Sequence, residues 1–283
     1  MKKLLYVLGF ISLIAIVSCS KGTSNSAKED EKNNDPKDDN KTTVIRSEDI
    51  QHKVIVEFYT STMCGMSLRA IEYIEKYSKN DNFIPISLYQ NDNLEVDAGK
   101  NLYKDFSIDG LPTIIFNRCE GKEWMCEDPS KDTSDEVSLG ISLKTKVEGS
   151  TANVDVELAF AESYERPLKL IVLLLENKVI GRQQNDFSNN IFYKDSKYYD
   201  MPNDIKNYSH MHVLRKNLTN ILGETISSDL TKKGRLVRKN FKVSVEDYKV
   251  ENCELVAFVV YGDDLKNGAV NAQRVKLGET ISY

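Results

Sequence analysis

Basic residues are too few in this chain to offset the acidic ones, and the formal net charge of its 283 residues is −5 at pH 7. A net acidic chain without a basic patch excludes nucleic acid and anionic lipid as partners drawn in by charge. Histidine is scarce, with three residues. His210 and His212 would share a face if they stood on one strand, but no third ligand stands at the spacing a zinc site needs. Asn91 to Asp97 is rich in oxygen ligands, yet it lacks the turn glycine and the terminal bidentate Glu of a calcium loop and reads as a solvated connector. No metal and no cofactor are therefore expected. Apolar runs of bilayer length are absent as well. The longest candidate in the body, Leu168 to Leu175, is interrupted by Lys169 and has the length of a strand.

The N-terminus is the most informative stretch. Met1-Lys2-Lys3 precedes an apolar run from Leu4 to Val17, too short to span a bilayer and built like the core of a signal peptide. It ends Ile16-Val17-Ser18-Cys19, the pattern that lipoprotein signal peptidase reads. Residues 1–18 are thus expected to be removed. Cys19 becomes the new N-terminus, carrying diacylglycerol and palmitate-type acyl chains that anchor it in a membrane, since two or more chains hold stably where one does not. Loss of Lys2 and Lys3 takes the side-chain charge to −7. Residues 19–43 form a polar tether: Ser20 to Lys41 has no large apolar residue and cannot offset its own ordering entropy. Its reach is roughly 25 Å for about 22 flexible residues.

Four cysteines remain, in a compartment where disulfides persist. Cys119 and Cys126 flank a short loop, and a local bridge between them is the favoured pairing. Cys253 lies in an apolar run and reads as a small core residue.

About 240 residues follow the tether, enough for two domains. In residues 44–135, Val54 to Tyr59 is a β-branched and aromatic run suited to a central strand. After a polar turn comes Cys64-Gly65-Met66-Ser67. Leu68, Ile71, Ile74 and Tyr77 then recur at helical spacing, which places Cys64 at a helix N-terminus. Ile84 to Leu88 offers a second strand, Val96 to Phe106 a second helix and Ile114 to Phe116 a third strand. From Val137 the period changes to strict alternation, the mark of half-buried strands. A hairpin over 137–160 and strands near 168–175, 210–214, 236–245, 255–261 and 274–277 predict an all-β sandwich for residues 136–283, immunoglobulin-like or fibronectin-like. Asn177 to Asn207, polar and tyrosine-containing, reads as a long surface excursion.

The order around Cys64 resembles the thioredoxin superfamily. That likeness places Cys64-Gly65-Met66-Ser67 where a Cys-Gly-x-Cys stands. It makes Pro112 of Leu111-Pro112-Thr113 a cis-proline beside the sulfur, and Glu57 the buried acid that aids proton transfer. Ser67 departs from the pattern, because a hydroxyl cannot resolve a mixed disulfide. The whole mature chain resembles the 28-kilodalton outer-membrane lipoprotein family, on the lipid signal, Glu57 and Cys64, the string Tyr208 to Arg215, and Val270-Asn271-Ala272. That resemblance implies an outer-membrane location and a binding or adhesion role toward a protein or glycan at the envelope or cell surface. The competing reading is a monothiol thioredoxin-like protein acting through Cys64 on disulfides of envelope proteins, with Ser67, Pro112 and Glu57 around it. A structural subunit of a surface complex is a third.

Overall fold

A computed structural model describes residues 45–119, 136–263 and 268–283. The leader, Cys19, the tether and Cys126 lie outside the described residues. The fold is rich in strands with few helices. Its elements are β1 (Val54–Thr60), α1 (Ser67–Tyr77), β2 (Phe83–Tyr89), α2 (Asp97–Asp105), β3 (Thr113–Phe116), β4 (Leu139–Glu148), β5 (Thr151–Phe160), β6 (Leu168–Glu176), β7 (Val179–Gln184), β8 (Asp204–His210), β9 (Val213–Asn217), β10 (Glu224–Ile226), β11 (Leu236–Ser244), β12 (Cys253–Tyr261), β13 (Ala269–Lys276) and β14 (Thr280–Ile281).

Eight strands form one sheet in the order β13-β12-β6-β9-β2-β1-β3, with β10 also on β6. Strands from both sides of residue 135 therefore share a single sheet, joined where β2 meets β9 in parallel at Ser87 and Val213. β1 and β2 are parallel, while β3 runs antiparallel to β1. A second sheet has the order β11-β5-β4-β14, and β7 and β8 form a hairpin of their own.

Strand parity explains the layers. Val54, Val56 and Phe58 of β1 pack with Ala70 and Ile74 of α1. Ile55 and Tyr59 point the other way, to Leu102 and Tyr103 of α2. β6 repeats the division. Leu168, Leu170 and Val172 pack against β4 and β5, whereas Ile171, Leu173 and Leu175 join the α2 side. One face of the long sheet is thus covered by α2, and the other by α1 and the four-stranded layer. A strand buried on both faces needs apolar residues at both parities, which is why β6 reads Leu-Lys-Leu-Ile-Val-Leu-Leu-Leu, broken in that stretch by the half-buried Lys169 alone. Each such Leu contributes about 1.5–3 kcal/mol by burial.

Asn271 ties the two halves together. Its Oδ1 accepts from the Lys53 backbone at 2.9 Å, and its Nδ2 donates to the carbonyls of Gln51 at 3.2 Å and Leu139 at 2.8 Å. Three backbone groups at the entry to β1 and β4 depend on this one side chain for their hydrogen bonds. Strand β13 begins at Ala269, earlier than the alternation from Arg274 suggests, because Asn271 is turned inward and breaks the apolar pattern. Among the described residues, no helix is long and apolar enough to cross a membrane.

Candidate functional site

Cys64 sits in the turn between β1 and α1. Its N–H donates to the Ser61 carbonyl at 3.0 Å, and its own carbonyl accepts from the Ser67 N–H at 3.2 Å. The helix starts at Ser67, so the cysteine precedes the first helical turn rather than opening it. The Cys64 thiol is half-buried and donates to the Leu111 carbonyl at 3.5 Å. The Leu111–Pro112 bond is cis. The sulfur and the proline loop are therefore neighbours, across 47 residues of chain.

Ser67 is fully buried and its Oγ accepts from Thr60 Oγ1 at 2.8 Å. It serves as a bracket between the end of β1 and the start of α1. Asp92 provides a second brace that the sequence did not reveal. Its Oδ2 accepts from the Thr62 N–H at 2.7 Å and Ser61 Oγ at 3.1 Å, and its Oδ1 from the Leu94 N–H at 2.9 Å. The stretch expected to be a solvated connector instead holds the cysteine turn in place. Only the recurrence of Asp and Asn there hinted at turn chemistry.

Glu57 is fully buried on the α2 side of β1. Its Oε1 accepts from Arg118 Nη2 at 2.8 Å and Nε at 3.0 Å, and its Oε2 from the Tyr59 hydroxyl at 3.3 Å. Arg118 is equally buried. It donates from Nη1 to the Ile221 carbonyl at 3.1 Å and lies over the Phe106 and Phe258 rings. Both carboxylate oxygens are occupied within a closed ion pair, an arrangement suited to holding the sheet rather than to passing protons.

The excursion after β6 is not a loose loop. β7 and β8 pair with each other, and Phe187 and Ser196 to Tyr198 of the segment between them lie against α1. Phe187 and Tyr198 bury against Leu68. Ser196 Oγ donates to Glu72 at 2.7 Å, and Tyr193 reaches the Met66 sulfur at 3.7 Å. The cysteine turn is held residue by residue. Gln184 N–H donates to the Thr62 carbonyl at 2.8 Å, Arg182 lies against the Met63 sulfur, and Gln183 Nε2 donates to the Cys64 carbonyl at 3.0 Å. At Gly65 a Cβ would stand 2.2 Å from Asp186 Cγ and 2.6 Å from its backbone nitrogen, so the approach requires glycine. The outer side of this strap carries a polar cleft of about 470 Å³ lined by Arg182, Gln184, Asn185, Asp186, Asn203 and Asp204, with Arg182 and Asp204 paired at 2.7 Å.

The two histidines do not share a strand. β8 ends at His210 and β9 begins at Val213, with His212 at φ 56° in the turn between them. That conformation breaks the alternation on which a common face depends. His210 is fully buried. The Arg182 carbonyl, 3.2 Å from Nε2, can only accept, so Nε2 carries the proton and Nδ1 accepts from the Tyr89 hydroxyl at 2.9 Å. His212 lies 3.7 Å from Glu254. Among the described residues no group of His, Cys, Asp or Glu has the arrangement of a metal site.

Burial pushes the His210 imidazole down to about 4, against the opposing pull of the Arg182 carbonyl. Unfolding frees a ring that takes up its proton near pH 6.5. Stability is therefore complete above about pH 6.5 and falls as pH drops from there toward 4, by on the order of 2–3 kcal/mol. Urea unfolding at pH 7 and pH 4.5 checks this: His210→Gln should shrink the difference between the two pH values, and an unchanged difference would show that His210 does not titrate on unfolding.

Among the described residues, Cys64, Cys119 and Cys253 form no disulfide. The partner expected for Cys119, Cys126, lies outside the described residues. Burial pushes the Cys253 thiol up to about 12, which makes it an inert core residue.

The chain is thus a strand-rich protein whose cysteine turn is strapped down by its own excursion. It belongs to the outer membrane protein Omp28 family, whose model matches residues 99–281, and it is an outer membrane protein. Among solved structures it is similar to HBP35 of Porphyromonas gingivalis, with a TM-score of 0.63 and 18% identity over 81% of this chain and 76% of that one. Protein AGR_C_4864 from Agrobacterium tumefaciens aligns at a TM-score of 0.47 and 14% identity, over 81% of this chain and 96% of that one. No curated protein matches the chain in sequence.

Proposed function

We propose that this outer membrane protein is a lipoprotein held by acyl chains on Cys19, and that it binds a protein or glycan ligand at the envelope or cell surface. Its β1-α1-β2-α2-β3 segment serves as a degenerate thioredoxin-like scaffold beside a β-sandwich. The observation that carries this reading is the strap. Residues 182–198 touch Thr62, Met63, Cys64, Gly65 and Met66 in turn, where a dithiol enzyme would leave room for a client. Ser67 supports it further, since its hydroxyl is buried and engaged by Thr60 and cannot resolve a disulfide. The polar cleft on the strap, with amide, carboxylate and guanidinium groups at its rim, offers hydrogen-bonding chemistry suited to such a ligand.

The test uses full-length mature protein displayed on vesicles against arrays of envelope proteins and glycans. Cys64→Ala should bind as the parent does, whereas Asp204→Ala, which frees Arg182 at the cleft, should bind several-fold more weakly. Equal binding by both variants would remove the cleft from the proposal.

One observation favours a monothiol role instead. The Cys64 thiol lies against the Leu111 carbonyl beside cis-Pro112, the position from which a thiolate meets an extended disulfide client. On that reading the Cys64 thiolate attacks a client disulfide, forms a mixed disulfide and releases the other client sulfur as thiolate. Covalent capture of an envelope protein, lost in Cys64→Ala, would establish it. Failure of the native thiol to trap any client would sink it.

A further inference from the structure

The large apolar side chains exposed among the described residues are Met63, Ile180, Ile191, Phe192, Met201 and Met211. All lie on the excursion, at the turn that follows it, or on the cysteine turn it straps. Two of them are adjacent and are the two most exposed: Phe192 is 88% exposed and Ile191 65%, against 58% for Ile180 and 55% for Met63. They form the tip of the 3-10 turn Ile191–Tyr193.

That tip is built to project. Phe187 and Tyr193 stack at 4.0 Å with nearly parallel rings, and Phe187 and Tyr198 are buried against Leu68. The neighbouring aromatics thus turn inward. The Asn190 side chain accepts from the Phe192 N–H at 3.2 Å, the Tyr193 N–H donates to the Asn190 carbonyl at 2.8 Å, and the Asn189 N–H donates to the Tyr199 carbonyl at 2.9 Å. A turn fixed in this way cannot tuck Phe192 into its own core. Adjacent exposed apolar side chains held on a rigid protrusion mark a surface that meets an apolar partner.

We infer that the Ile191–Phe192 tip inserts into the lipid surface to which the protein is anchored. The inference rests on the lipid-anchor reading. Membership of an outer membrane protein family puts a bilayer beside the chain, and about 25 residues separate Cys19 from Ile45, a reach of roughly 25–30 Å if flexible. The body can therefore settle onto the membrane. A convex two-residue tip fits the headgroup boundary better than a flat protein interface, which needs a broad contact. Lys194 and Lys197 stand nearby, but Asp195 and Asp200 balance them and Lys197 is held by Glu75. Insertion is therefore driven by apolar burial and is indifferent to anionic lipid and to salt.

The test uses the mature, acylated full-length protein with Trp124→Phe, carrying Phe192→Trp or, as control, Asn240→Trp on β11. Vesicles contain phosphatidylethanolamine and phosphatidylglycerol doped with dibrominated phosphatidylcholine. The expected result is flotation with the vesicles, together with bromine quenching and a blue shift at position 192 but not at 240. The indole should sit about 5–10 Å below the headgroup surface, with no dependence on phosphatidylglycerol content or salt. Flotation without quenching at 192 overturns the inference and leaves the anchor standing. Failure to float overturns both. A blue shift at 192 that grows with protein concentration, without quenching, makes the tip a contact between copies and overturns insertion into lipid.

Discussion

Arg118→Met should cost about 3–5 kcal/mol of stability, because it leaves the Glu57 carboxylate buried without its cation. Both side chains are cut off from solvent, at 0% and 1% exposure, so water cannot replace the lost partner. The substitution also removes the bond to the Ile221 carbonyl and the packing over Phe106 and Phe258. A guanidinium over aromatic faces adds to the pair when it is desolvated. Urea unfolding measures the loss directly. The double variant Glu57→Leu with Arg118→Met should recover most of it, since apolar replacement of a buried pair is often neutral. If Arg118→Met alone proved as stable as the parent, the ion pair would not be what joins β1 to the loop at Ile221 and to β12.

Gly65→Ala is expected to lift the strap from the cysteine turn. The new methyl group would meet the Asp186 side chain and, at 2.6 Å, its backbone nitrogen. A backbone atom cannot rotate away, so residues 182–190 must move together. Overpacking of this kind typically costs about 1–3 kcal/mol. The loss should be local, because β7 and β8 form a separate hairpin. Alkylation of Cys64 in the folded protein should therefore accelerate in Gly65→Ala, while Cys253 stays unreactive. Adding Asp186→Gly removes only the side-chain clash and should restore the parent rate in part. An unchanged alkylation rate would mean that the strap does not limit access to the thiol, and the monothiol role would regain ground.

Much of the fold was legible because strand and helix periods are local. The apolar run of β1, the alternation of β4 and β5 and the helical spacing from Leu68 to Tyr77 each report which face is buried. The nearly all-apolar stretch from Leu168 to Leu175 was legible as a strand, but the two layers that cover it were not. Cys64, Ser67 and Pro112 were legible as a set through resemblance, and the structure brings Cys64 beside Pro112. Asp92, Gln183 and Asp186 were not, since each acts across long sequence separations on backbone atoms that carry no signature. Arg118 was hidden for the same reason: one charged residue after an apolar strand reads as a solvated end until Glu57, sixty-one residues away, is placed against it. His210 and His212 misled because a single left-handed residue, His212, cancels a two-residue period.

By itself the sequence determined the strand-rich class and the hydroxyl in place of a second thiol at Ser67, because each depends on which residues are present and on their local period. Tertiary structure alone decided that the two halves share one sheet, that Glu57 is consumed in an ion pair and that the polar excursion lies over Cys64. Those outcomes depend on which distant backbone groups end up facing one another, and the hydrogen bonds and close contacts that fix them exist only once the chain has folded.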